Sequence, residues 1–307
     1  MGHLPACRAI LERAAAVMYA EPRSRAELIR LIPSADALVP ALNQRIDRRV
    51  LDAAPRLTVI ATPSTGTDHI DLAAARSRGI EVQSLKDDPD LLRTITSTAE
   101  HAFLLMLACL RRLPFAFDDV KRGRWRAADW RGREAAGRTV GIVGYGRLGA
   151  IFSRLALGFG MKVIACDPFK KITDPWVEPA PMGALLKRAE IVTLHVHLTP
   201  ETRGLIGVRE LARLRPGAVL INTARGALVD ERALLRALES GRLAAAGLDV
   251  LARELEGRAA RDPLVRYART HANLILTPHV GGCTVDAQEK AFRRMAEKLA
   301  ARLRQPG

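Results

Sequence analysis

A chain of 307 residues, 48% hydrophobic and 26% charged, can bury cores for two ordinary domains, which excludes a disordered chain and a minimal disulfide-stapled scaffold. The formal net charge of +15, from 48 basic against 33 acidic residues, would suit a polyanion partner, but 40 of the 48 are arginines scattered through the chain, with modest clusters such as KRGRWR at 121–126 and only 4% aromatic residues. A solvated surface that attracts anionic cofactor and substrate accounts for that pattern, so no nucleic-acid partner is expected.

In chain order, Leu4-Pro5 leads almost at once into the helix-like ACRAILERAA. Doubly wound domains usually begin with a strand, so the first strand of this half is expected to be shortened or missing. The start lacks the basic-then-apolar pattern of a secretory signal, and cysteines 7, 109, 166 and 283 have no CxxC spacing, so reduced thiols and a cytoplasmic location are expected. Short Val/Ile/Leu-rich runs at 16–19, 36–39, 57–61 and 80–82 are expected strands, each followed by a loop and a helical segment. A helix is expected from about Thr96 to Arg112. Its apolar stretch AFLLMLACL, flanked by charged residues, is far short of the roughly 20 residues that span a bilayer, so it is expected to be buried and no membrane partner follows.

A second set of strands is expected at 139–144, 162–167, 191–196, 218–223, 244–250 and 273–277, before a final helix from about Val285 to Arg304. Strands alternating with helical segments mark an α/β fold with parallel sheets. Two domains are expected: a Rossmann-type doubly wound domain over 98–281, and a smaller α/β domain over 1–97 completed by 282–307.

The most specific motif is TVGIVGYGRLG at 139–149. An apolar strand runs into Gly144, Gly146 and Gly149, a helix-like segment follows, and Asp167 closes the next apolar run 18 residues after Gly149. That is the spacing of a dinucleotide-binding βαβ unit. Gly144 permits the tight turn, Gly146 admits a pyrophosphate, Gly149 brings helix against strand, and the helix N-terminus offers N–H donors. A carboxylate at 167 accepts from a ribose 2′-hydroxyl and repels a 2′-phosphate, so NAD is the expected cofactor. Lys170 and Lys171 would soften that preference.

Four further segments fall at expected strand ends, where open α/β sheets bind ligands: LHVHLTPETRGLIG, INTARGALVDE, GLDVLARE and TPHVGGCT. With GYGRLG and TGTDHIDLAAARSRGI, they resemble the D-isomer-specific 2-hydroxyacid dehydrogenases, the family of phosphoglycerate, glyoxylate/hydroxypyruvate and D-lactate dehydrogenases. The resemblance covers nearly the whole chain from about residue 30. It implies a flavodoxin-like α/β substrate domain beside the Rossmann domain, with substrate in a cleft that closes by a hinge. It also implies a catalytic set of Arg225 from NTARG, Glu254 five positions after the Asp of LDV, and His279 from TPH.

The chemistry of that set is coherent. Arginine's planar fork would orient a 2-oxoacid's carboxylate and polarise its carbonyl. Histidine would supply the proton as hydride arrives at C2, and a glutamate bonded to it would fix the ring and raise its pKa. Leu255 stands where relatives commonly carry proline, and Glu256 could substitute for Glu254. The resemblance further places Arg147 and Leu148 at the pyrophosphate, Val196, Thr223 and Ala224 beside the cofactor, Asp249 at the nicotinamide carboxamide, and Gly281 and Gly282 in the loop after His279. Backbone N–H groups of Thr65, Gly66 and Thr67 would hold the substrate carboxylate.

No metal is expected: His195 and His197 alternate on a strand end without a third ligand. His101 could touch substrate or be a satisfied buried imidazole, the latter being favoured. Val39-Pro40 stands where phosphoglycerate-type members often have Arg, the segment before TAEH is several residues longer than usual, and Thr94 replaces a common Asn, so specificity is expected to differ. Only 28 residues follow His279, so no additional regulatory domain is expected. A homodimer is implied, with the arm at 114–132, including Trp125 and Trp130, on the partner or packed within its own chain. The expected activity is interconversion of a D-2-hydroxyacid and a 2-oxoacid, and the rival is a non-enzymatic NAD-sensing regulator on the same scaffold.

Overall fold

The computed structural model describes residues 4–41, 44–256 and 259–304. The chain divides into two compact units, one of residues 1–95 with 284–307 and one of residues 96–283.

The smaller unit holds a parallel sheet in the order β1 (Ala37–Leu38), β2 (Val59–Ala61), β3 (Glu81–Gln83). Central β2 reads Val-Ile-Ala because all three residues are fully buried, as a strand covered on both faces requires. Ile60 packs with Ile32, Val50 and Leu51 on one side, whereas Val59 and Ala61 pack with Leu11 of the helix Pro5–Glu12 and Met295 and Leu299 of the helix Val285–Leu303 on the other. Helix starts are set by capping side chains: Ser24 accepts from Glu27 N–H, Asp47 from Val50 N–H and Asp71 from Ala74 N–H.

The expected strand at 16–19 is not one. The segment has no regular structure and no ladder partner among the described residues, and Met18 is 61% exposed. A strand needs a neighbour for its N–H and C=O groups, and a β-prone run without one stays a loop. The question of a strand at the extreme N-terminus lies largely outside the described residues. The unusually long segment before residue 96 contains the helix Pro89–Arg93, and the buried Asp88 that precedes it accepts from Arg294 Nε (2.6 Å) and Lys298 Nζ (2.9 Å) of the last helix.

Among the described residues the larger unit carries seven parallel strands: β4 (Thr139–Val143), β5 (Lys162–Cys166), β6 (Val177–Pro179), β7 (Ile191–Leu194), β8 (Ala218–Asn222), β9 (Leu243–Leu248) and β10 (Leu274–Leu276). Their order is β10-β9-β8-β7-β4-β5-β6, so the direction of winding reverses between β4 and β7, the place where open α/β sheets bind ligands. β6 is a three-residue edge strand ending in proline, too short to carry a periodic signal. Val140 and Ile142 face one core, and Val143, Val192 and Leu220 the other. The helix Ser97–Arg111 lies close on β9, since a Cβ at Gly247 would sit 3.1 Å from Cys109 Sγ and 3.2 Å from Leu105 Cβ. No described helix is long and apolar enough to cross a membrane.

Candidate active site

β4 delivers the glycine turn to the switch point. Gly144 has φ +92, and a Cβ there would lie 2.7 Å from His195 O and 2.6 Å from Val196 Cγ1 at the end of β7, so both conformation and crowding demand glycine. A Cβ on Gly149 would meet Gly144 O at 2.2 Å, which is the close helix-to-strand approach expected from the sequence. Gly146 differs: nothing lies within 4 Å of its Cβ direction, and it opens the helix Arg147–Gly158 with no side-chain cap. This is a cradle of backbone donors facing open space, as a pyrophosphate requires.

Asp167 follows β5. Its Oδ2 accepts from Tyr145 N–H (2.9 Å) and its Oδ1 from Phe169 and Lys170 N–H (3.0 and 3.1 Å), tying the glycine turn to the neighbouring strand end. Past β8, Thr223 Oγ1 is buried without a hydrogen-bond partner, the kind of orphaned group a bound cofactor satisfies. Ala224 N–H donates to Asn222 Oδ1 (3.0 Å). Leu148 and Val196 are partly buried against the two cores. Cradle, carboxylate and orphan hydroxyl together fit NAD. His195 is half-buried beside Thr193 (3.1 Å) and desolvation pushes its pKa down to about 4, whereas His197 is exposed; the two imidazoles do not share an environment.

The three residues assigned to chemistry stand on three strand-end loops of this unit. Arg225 lies in the turn after β8, held because Asn222 Nδ2 donates to Arg225 O (2.9 Å). The next residue, Gly226, packs directly on the β9 loop: a Cβ there would lie 2.0 Å from Leu251 C and 2.2 Å from Ala252 N. That loop is fixed twice more, since Glu231 Oε1 accepts from Ala252 N–H (2.7 Å) and Glu254 Oε2 from Leu251 N–H (3.0 Å). The other oxygen of Glu254, Oε1, is 2.7 Å from His279 Nδ1. Glu256 turns away to Arg253, so of the two adjacent acids the structure brings Glu254 to the imidazole.

His279 has φ +57, one of two left-handed non-glycine residues described. The hydrogen bond to Glu254 is the largest influence on its pKa and raises it, against desolvation and the nearby Arg225 guanidinium, which lower it; Glu254 and Asp249 add negative charge nearby. With Nδ1 committed to Glu254, Nε2 is the nitrogen free to exchange a proton.

Asp249, expected at the nicotinamide, is engaged by its own chain. Only 1% exposed, its Oδ1 accepts from Thr277 Oγ1 (2.5 Å) and Val280 N–H (2.9 Å), its Oδ2 from Gly281 N–H (2.7 Å), and His101 Nε2 is 3.3 Å from Oδ1. Burial is the largest effect on its carboxyl and pushes the pKa up, yet these four donors together hold it below the usual range. Gly282, beyond this cluster, faces open space. Sequence reasoning missed Thr277, Glu231 and the contact made by Gly226. The Asn three residues before Arg225 and the Thr two before His279 were the available signals. In the smaller unit, Thr65, Gly66 and Thr67 form the turn after β2, where Ser64 Oγ donates to Gly66 O (2.5 Å). Trp130 Nε1 donates to Asp119 (2.9 Å) and its ring stacks on Phe115, so this tryptophan packs within its own chain; Trp125 is 86% exposed.

A family model described as D-isomer specific 2-hydroxyacid dehydrogenase, NAD binding domain, matches residues 103–281. A hydroxypyruvate reductase from Thermotoga maritima is 36% identical over 273 residues, 89% of this chain and 86% of that protein. A D-3-phosphoglycerate dehydrogenase from Mycobacterium bovis is also 36% identical, over 92% of this chain, but the chain spans only 52% of its length. Among solved structures, D-lactate dehydrogenase from Aquifex aeolicus complexed with NAD and lactic acid superposes with a TM-score of 0.83 at 28% identity, covering 99% of this chain and 93% of that one.

Proposed function

We propose, from the premise that this chain belongs to the D-isomer specific 2-hydroxyacid dehydrogenase family of NAD-dependent oxidoreductases, that it interconverts a D-2-hydroxyacid and a 2-oxoacid with Arg225, Glu254 and His279 as its machinery. The observation that carries this reading is the 2.7 Å contact between His279 Nδ1 and Glu254 Oε1 beside the Arg225 guanidinium. NADH supplies the hydride that C2 of the oxoacid receives. The Arg225 fork holds the carboxylate and polarises the carbonyl, a permanent charge with planar donors being suited to both. His279 gives its Nε2 proton to the developing alkoxide, and Glu254 stabilises the imidazolium before that transfer. In oxidation, neutral His279 accepts the hydroxyl proton at the same atom.

Residues 98–281 are assigned as the cofactor domain and 1–97 with 282–307 as the substrate domain, in which the N–H groups of Thr65, Gly66 and Thr67 bind carboxylate. Gly144, Gly146, Arg147, Leu148, Gly149, Asp167, Val196, Thr223 and Ala224 are assigned to NAD. Asp249, Gly281 and Gly282 act there through the shape of the loop. A homodimer belongs to the same reading: Leu104, Leu113, Phe117, Val120 and Trp125 are exposed apolar residues on or just after two successive helices, and sedimentation of the full chain measures its mass.

The decisive assay is NADH oxidation with glyoxylate, hydroxypyruvate, pyruvate and phosphohydroxypyruvate, using the full chain and His279→Ala. Turnover of at least one oxoacid, lost in the variant while NADH still binds, is expected. NADH binding without turnover of any of the four would make the chain an NAD-responsive binding protein instead.

A further inference from the structure

We propose that His101, acting through Thr277 and Asp249, is a positioning residue that holds the loop 277–281 in the shape that presents His279. The inference rests on the reading of His279 given above, but its geometry is independent of any substrate.

His279 occupies left-handed backbone space at φ +57, which a side chain with a Cβ adopts only when its surroundings impose it. Most of the backbone hydrogen bonds that impose it converge on Asp249, with Thr277 O a second acceptor of the His279 N–H at 3.0 Å. His279 N–H donates to Asp249 O (2.8 Å), and the next two N–H groups, of Val280 and Gly281, donate to the two oxygens of the same residue's carboxylate (2.9 and 2.7 Å). The two successive N–H groups of Val280 and Gly281 close on the carboxylate as an anion-binding concavity made from the chain itself, and the His279 N–H ties the same residue's backbone carbonyl. Gly281 is needed for the approach, because a Cβ there would lie 3.0 Å from Asp249 Oδ2.

A buried carboxylate can do this only if its own orientation is fixed and its charge is satisfied. Thr277 Oγ1 donates its single proton to Asp249 Oδ1 at 2.5 Å, so toward His101 Nε2, 2.9 Å away, it can only accept. That assigns the proton of His101 to Nε2 and makes the chain His101 to Thr277 to Asp249 run in one direction, with His101 Nε2 also 3.3 Å from Asp249 Oδ1. His101 sits on the helix Ser97–Arg111, which is packed against β9, and Asp249 is the residue that follows β9. The polar chain therefore anchors the His279 loop to a rigid helix rather than to another loop. The charged groups that face His279 are Glu254 from the loop after β9, Arg225 from the turn after β8 and Asp249 itself; His101 faces Asp249 from the helix Ser97–Arg111.

The test uses the full chain and the variants His101→Phe, His101→Gln and Thr277→Val, with the oxoacid the wild type reduces best. Ring resonances of His279 report its titration, NADH fluorescence its binding, and kcat and KM across pH its use. His101→Phe and Thr277→Val are expected to lower kcat about 10- to 100-fold, the range for removing a group that orients a functional residue. NADH affinity should fall less than kcat does, because the glycine turn and Asp167 are untouched, and the His279 titration should move to lower pH as the ring loses its place beside Glu254. His101→Gln, which keeps an amide donor at similar reach, should restore most of kcat. If both disrupting variants, folded by near-UV circular dichroism, show the wild-type His279 titration and wild-type kcat, the positioning role is wrong. Should the wild type reduce no oxoacid while the His279 titration still shifts in these variants, the positioning role stands and the proposed activity fails.

Discussion

Replacing Glu254 by Gln removes a charge while keeping the size and an acceptor oxygen at the 2.7 Å contact with His279 Nδ1. A hydrogen bond to a charged group contributes about 1.5–3 kcal/mol net. Here the two side chains are 36% and 26% exposed, so water screens the pair, and we place the loss at about 1.5 kcal/mol, roughly one pKa unit. The direction follows from the raised pKa of His279, for which Glu254 is the largest cause: without the carboxylate the imidazole loses its proton at lower pH.

Reduction needs the protonated ring, so at pH above both titrations Glu254→Gln should be about tenfold slower than wild type, following the shift of about one unit. Toward low pH, where both rings are protonated, the two rates should converge. Oxidation needs the neutral ring and should persist to lower pH in the variant. The stabilisation that the pair gives the fold is present below the ordinary histidine range and is lost as pH rises through the raised value, so the melting difference between the proteins should narrow with rising pH. The assay is NADH oxidation over a pH series with the best oxoacid, alongside the ring titration of His279. Identical His279 titrations in the two proteins would refute the reasoning, because the charge at 254 would then not be acting on the ring.

Gly226→Ala puts a methyl 2.0 Å from Leu251 C and 2.2 Å from Ala252 N, backbone atoms that no rotamer change can move aside. It should cost about 1–3 kcal/mol in urea unfolding and reduce kcat more than NADH affinity, since it wedges the Arg225 turn from the Glu254 loop; an unchanged kcat would contradict that packing. Gly146→Ala meets nothing within 4 Å and has φ −75, so its melting temperature should stay at the wild-type value. Its NADH affinity should fall about tenfold or more, near 1.4 kcal/mol, because the methyl enters the space left for the pyrophosphate; tight NADH binding by this variant would place the cofactor elsewhere.

Much of the molecule is written locally. Nine of the ten strands among the described residues lie where runs of Val, Ile, Leu and Ala occur between turns, because a parallel strand covered on both faces selects such runs without regard to partners. Gly144 and Gly149 are fixed by crowding within one βαβ unit, and that unit is contiguous in sequence. The segment 16–19 has the same apolar character and is not a strand, since pairing depends on a neighbour that its own residues do not supply. Glu254 and Glu256 illustrate a similar limit in the site. Spacing alone permits either, and the choice is made where Leu251 N–H fixes one carboxylate beside His279 while Arg253 draws the other away.

What the amino-acid sequence determined by itself was the α/β architecture, the dinucleotide turn and the residue types needed for proton transfer, all of which follow from short-range pattern and side-chain chemistry. Only the tertiary structure decided how those residues are held. His101 and Thr277 are 176 residues apart in the chain and meet on Asp249 because the sheet winds β9 and β10 side by side under one helix. Nothing in either neighbourhood encodes that meeting: hydrogen bonds act over a few ångströms of space, and folding alone brings distant stretches of chain within that range.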